Sequence, residues 1–103
     1  MDDDRLTEKL AGEVFGWRAA PDRFLKGGRG WMPRWRFAPL ERLEDAFQLL
    51  DRASDDYTLT ANTGSTFSAS VRVGERTGTA SGRHKARTIT LAVAQALGLV
   101  VDR

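Results

Sequence analysis

The chain has 103 residues, 16 Lys and Arg against 14 Asp and Glu, a single His and no Cys. That length fits one domain with one modest core, and the lack of Cys excludes disulfides, thiol catalysis and cysteine-ligated zinc. No apolar run is long enough to cross a membrane, and the acidic opening "MDDDRLTEK" has no signal-peptide h-region; a single cytoplasmic domain over 1–103 is expected, with 1–4 as a mobile acidic tail.

Leu6, Leu10, Val14 and Phe15 recur at helical spacing, Asp3 or Asp4 suits the N-cap and Gly16 suits the stop. These predict a helix over 4–16. Residues 17–38 read as a long connection, with short extended pieces at 24–25 and 35–37 and a hairpin around Gly27 and Gly28. Long irregular loops are uncommon in compact domains and are often functional. Pro39 suits a first helical turn. Leu40, Leu43, Ala46, Phe47 and Leu50 make one apolar face, with Glu41, Arg42, Glu44, Asp45 and Asp51 mostly opposite, which predicts a helix over 39–53. "YTLTA" and "TFSASVRV" alternate as strands do, separated by a turn at 62–65. Gly74 and Glu75 have the chemistry of a type II′ hairpin leading into "RTGTAS". Ala86, Ile89, Ala92, Val93, Ala96 and Leu97 predict a last helix over 84–97, stopped by Gly98.

The fold class is therefore α+β, in the order α–(long loop)–α–β–β–β–α, with a three-stranded antiparallel meander. Its apolar side (Tyr57, Leu59, Phe67, Ala69, Val71 and Val73) is expected to pack on Leu43, Phe47, Leu50, Ile89, Val93 and Leu97. The other side is rich in Thr and Ser, so one helical layer is expected. Charge falls in blocks: residues 18–36 carry six cations, 41–56 six anions and 72–87 five cations. Such blocks either pair within the fold or present a basic face to an anionic partner.

The stretch "LKGGRGWMPRWRF" concentrates Trp and Arg around glycines. Trp with Arg is the composition of a protein-interface hot spot and of a base-stacking platform. It is equally the composition of core cover, with Arg stems lying along aromatic rings. Trp35 and Phe37 are expected to be buried, pinning the following helix. Gly27, Gly28 and Gly30 should form an exposed turn, and Trp31, between Arg29 and Arg34, should stay at least partly exposed. Arg83, Lys85 and Arg87 should form an exposed patch with His84 at the start of the last helix. The helix dipole disfavours cations there, which points to an external anion or to pairing with the acidic helix. No metal site or catalytic set is legible. His84 stands alone, the Asp and Glu residues suit solvated faces and caps, and "GGRG" lacks the frame of a phosphate loop.

Taken together, "LTEKLAGEVFGWR", "PLERLEDAFQLLDRA", the short meander and "ARTITLAVAQALGL" resemble the phage ABA sandwich domain family. The matching features are Gly16 with Trp17, Pro39 before the amphipathic Leu40 to Leu50 run, and the closing Ala96 with Leu97. The resemblance covers nearly the whole chain. It implies a small phage or prophage protein of a family mostly without assigned activity, which offers no catalytic residues to carry over, and helices on both sheet faces, one more layer than the strand pattern asks for. "RHKAR" after a meander is similar to the double-stranded RNA-binding domain, where such cations span phosphates. The turn with Asn62, Thr63 and Gly64 lacks that domain's Gly-Pro-x-His loop. The expected function is a non-catalytic interaction module without cofactor or metal. It would contact a host or phage protein through Arg29, Trp31, Arg34 and Arg36 and through Arg83, His84, Lys85 and Arg87. Nucleic acid is the alternative partner.

Overall fold

Asp2 opens the first helix: its carboxylate accepts the Arg5 amide at 2.8 Å, and Asp3 and Asp4 fill the first turn, where the helix dipole favours anions. The structure, a computed structural model, describes residues 2–27 and 30–99. The cap thus lies one residue before the expected Asp3, and the acidic stretch from Asp3 onward is helix. α1 (Asp3–Leu10) buries Leu6 and Leu10, then widens into one π-helical turn, Ala11–Phe15. Gly16 ends it at φ 73°, a left-handed backbone that lets the Trp17 amide reach back to the Ala11 carbonyl at 3.2 Å.

Residues 17–38, expected as a connection with one hairpin, hold a second sheet. β1 (Arg18–Ala19), β2 (Arg23–Gly27) and β3 (Gly30–Pro33) pair antiparallel with β2 in the centre. The strands are two to five residues long and Phe24 is their one fully buried side chain, so alternation is too brief to read. Gly27 pairs with Gly30 across the expected hairpin, whose Gly28 and Arg29 lie outside the described residues. A 3-10 turn, Arg34–Arg36, replaces the extended piece expected at 35–37.

The second helix starts four residues later than expected, as α2 (Leu43–Ala53). Residues 38–42 make a separate turn, with the Arg42 amide on the Ala38 carbonyl at 2.8 Å, and Arg42 itself is extended. The Asp45 carboxylate accepts the Ala38 amide at 2.9 Å, which locks that turn onto the helix. Asp45 is therefore buried, although the periodicity put it on the polar face. The buried face runs through Ala46, Leu49 and Leu50, while Leu43, expected in the core, is 41% exposed and Phe47 is half-buried.

β4 (Asp56–Ala61), β5 (Phe67–Val73) and β6 (Arg76–Gly82) form the expected meander. Gly74, at φ 62°, turns the two-residue loop between the paired Val73 and Arg76. α3 (Lys85–Ala96) lies between β5 and β6 on one side and α2 on the other. It is accordingly buried nearly all round, at Ala86, Thr88, Ile89, Thr90, Ala92, Val93, Ala94 and Ala96, rather than along one stripe. Small residues bring its backbone close to the sheet: a Cβ on Gly78 of β6 would sit 2.1 Å from the Ala92 carbonyl oxygen. The buried hydroxyls are satisfied. Thr88 donates to the His84 carbonyl at 2.8 Å and Thr90 to the Pro39 carbonyl at 2.7 Å.

The fold is α+β with the expected order, plus the inserted small sheet. Because α3 lies mainly on β5 and β6, β4 is the least covered strand: Leu59 is half-buried against the core, and Tyr57, expected in the core, is 41% exposed. Thr58, Thr60, Ser68, Ser70, Thr79 and Ser81 line an open hollow on the opposite face. Among the described residues no helix covers that face, so the two-sided arrangement that the family resemblance implies is not found.

Candidate interaction surface

The small sheet has two unlike faces. Inward, Phe24 joins Phe15, Trp17 and Phe37 in one aromatic cluster: Phe15 stacks on Trp17 at 4.6 Å between centroids, and Phe37 meets Phe24 edge-on at 5.8 Å. Trp17 and Phe37 are thus core cover, and Phe37 pins the chain ahead of α2 as expected. Trp35 does not share that role. It is 71% exposed, because the 3-10 turn sends it outward while Phe37 fills the aromatic cluster.

Outward, the register sets Trp31 beside Leu25, and Leu25 beside Arg18. Trp31 is 54% exposed, as expected, and Leu25 is 38% exposed. The Arg23 guanidinium lies 4.6 Å from the Trp31 ring centroid, within cation–π reach. Arg23 is also hydrogen-bonded to Asp22 at 3.0 and 3.1 Å, a contact that holds the Asp22 carboxyl below its usual range. Arg18, Arg23 and Leu25 belong to this face but did not stand out in sequence. Their signal was the two-residue alternation about the Gly27 hairpin, which places 23, 25, 31 and 33 on one side.

Arg34 is a brace. It donates to the Glu8 carboxylate at 2.5 Å and to the Ala20 carbonyl at 2.9 Å, and lies 5.2 Å from the Phe24 ring centroid. It ties the small sheet to α1 and is not free for a ligand. Arg36 is exposed, 5.9 Å from the Trp35 ring centroid. Trp35, Phe37, Leu40, Asp3, Asp4 and Glu41 line a hollow of about 470 Å³ beside α1. Arg29 lies outside the described residues.

Arg83, His84, Lys85 and Arg87 are all exposed at the start of α3. His84 is the N-cap: its Nδ1 accepts the Arg87 amide at 3.2 Å. Arg87 pairs with Asp3 of α1 at 2.9 Å rather than with the acidic α2. Lys85 lies 5.9 Å from the Phe67 ring centroid. The Asp3–Arg87 pair joins this patch to the Trp35 hollow, whereas Trp31 belongs to the outer face of the small sheet. Among the described residues, no helix is long and apolar enough to cross a membrane, and no group of three or more His, Cys, Asp or Glu is placed to hold a metal ion.

No family model matches the chain, and no curated protein does. Its fold is similar to that of a phage protein from Bacillus cereus ATCC 14579 known from a 2.0 Å crystal structure. The TM-score is 0.77 at 16% sequence identity, over 99% of this chain and 93% of that one.

Proposed function

We propose that this chain is a non-catalytic binding module of phage or prophage origin, akin to the phage ABA sandwich domains, that engages a host or phage protein through the outer face of its small sheet. A fold similar to that of a phage protein supports the origin. The observation that carries the binding reading is the pair Trp31 and Leu25, side by side and exposed, with Arg18 and Arg23 around them. Trp and Arg are enriched among the residues that dominate protein interfaces. Beside the Trp31 ring, Arg23 is bonded to Asp22, while Arg18 is exposed on the same face. The exposed apolar pair between them is what favours a protein partner there.

Nucleic acid is the second reading, and Arg83 and Lys85 favour it: both are exposed and, among the described residues, neither is in an ion pair. Affinity capture from a bacterial lysate, with and without nuclease, separates the two. A protein partner that resists nuclease, is lost with Trp31→Ala plus Leu25→Ser, and is kept with Arg83→Ala plus Lys85→Ala supports the first reading. Loss on nuclease treatment, or oligonucleotide binding that weakens steeply with salt, supports the second.

A further inference from the structure

The two edges of the β4–β6 sheet are unlike. On β6, the outward amide of Thr79 is capped by the Gln95 side-chain oxygen at 2.9 Å. On β4, no side chain or loop caps an outward amide among the described residues. The Asn62 amide bonds the Thr66 carbonyl in the same register that pairs Thr60 with Ser68 and Thr58 with Ser70. Antiparallel strands alternate their hydrogen-bonding direction. Thr58 and Thr60 therefore face β5, and the amides and carbonyls of Tyr57, Leu59 and Ala61 face the empty side. Edge strands normally carry a Lys, a Pro or a bulge that blocks pairing. β4 has none of these: its register with β5 runs unbroken from Asp56 to Ala61, and every position but Leu59 is exposed.

The sequence of that edge is complementary to itself. Two antiparallel copies of β4, centred on Leu59, place Leu59 against Leu59 and Tyr57 of each copy against Ala61 of the other, a large side chain opposite a small one. On the second face Thr58 meets Thr60, a favourable cross-strand pair. At the ends Asp56 meets Asn62, so no like charges oppose each other, and Asp56 is already bonded to Arg72 at 2.7 Å. The pairing also adjoins Tyr57, which is 41% exposed, and the outer part of the half-buried Leu59.

We propose that the β4 edge is a homodimer interface. Two copies would pair antiparallel about a twofold axis at Leu59, forming a six-stranded sheet in the order β6–β5–β4–β4–β5–β6. The occupant is a second copy of this chain because the register, side-chain sizes and charges match under the twofold. This surface is separate from the Trp31 face and does not depend on its role.

Sedimentation equilibrium over a concentration series tests the pairing. The expected result is a monomer–dimer equilibrium that Ala61→Pro weakens by at least about tenfold, since each copy loses an outward amide to a ring. The far-ultraviolet spectrum should not change, because that amide takes no part in pairing with β5. A second measurement uses the lack of cysteine. Thr58 and Thr60 would form a non-hydrogen-bonded pair with Cα atoms about 4.5 Å apart, close enough for a disulfide. A mixture of Thr58→Cys and Thr60→Cys chains should oxidise to the heterodimer in preference to either homodimer. A chain that stays monomeric throughout the series, a dimer that survives Ala61→Pro, or homodimeric disulfides that form as readily would each overturn the proposal.

Discussion

Thr90 is fully buried on α3 and its hydroxyl donates to the Pro39 carbonyl 51 positions away in sequence. That one bond fastens the turn at 38–42 to the central helix. Thr90→Val keeps the shape and leaves the carbonyl without a partner, which should cost about 1–3 kcal/mol. Thr90→Ser should recover most of the loss. Urea unfolding of the three proteins measures both, and equal stability of the Val and Thr forms would show that the carbonyl finds water instead. His84 acts at the other end of the same helix. Its ring accepts an amide at a position where Asp, Asn, Ser and Thr are the preferred caps, so capping accounts for its placement.

At the scale of elements, the small sheet is a two-sided strip. Its inner side seals the aromatic cluster, and its outer side and the 3-10 turn expose Trp31 and Trp35. The three tryptophans should therefore separate in acrylamide quenching of single-Trp variants. Trp31 and Trp35 should quench readily, and Trp17, packed against Phe15 and Phe37, should be protected. Trp35 as protected as Trp17 would place the turn the other way round.

For the whole molecule, the spacing between layers is decisive. α3 can lie between the meander and α2 only because its backbone nearly touches β6 at Gly78. A methyl group there meets the Ala92 carbonyl and the Ala96 amide, which are backbone atoms that no rotamer change can move. Gly78→Ala should thus lower stability by about 1–3 kcal/mol or more, as overpacking does, with a matching fall in melting temperature. A substitution without effect would mean that the helix rides further from the sheet.

The sequence by itself determined the elements whose pattern is local. The meander alternates over five or more residues, the Gly74 turn has no other reading, and α1 and α3 show their periodicity and stops. It also marked Trp31 as exposed and Phe37 as a pin. Other features depended on what packs against a segment. The late start of α2 follows from Asp45 taking the Ala38 amide, a bond between a side chain and a turn that hydropathy does not register. Burial of α3 on both sides follows from its central place, since Ala and Thr suit a surface as well as an interior. The small sheet was hidden because strands of two to five residues carry too little alternation. Trp35 and Phe37 lie two positions apart with like chemistry, and only the 3-10 turn decides which of them points into the aromatic cluster. Arg34 looked like a ligand cation, and it became a brace because α1, far away in sequence, brings Glu8 to it. Local periodicity is a property of neighbours along the chain, whereas a side chain's partner is set by elements that meet only when the layers close.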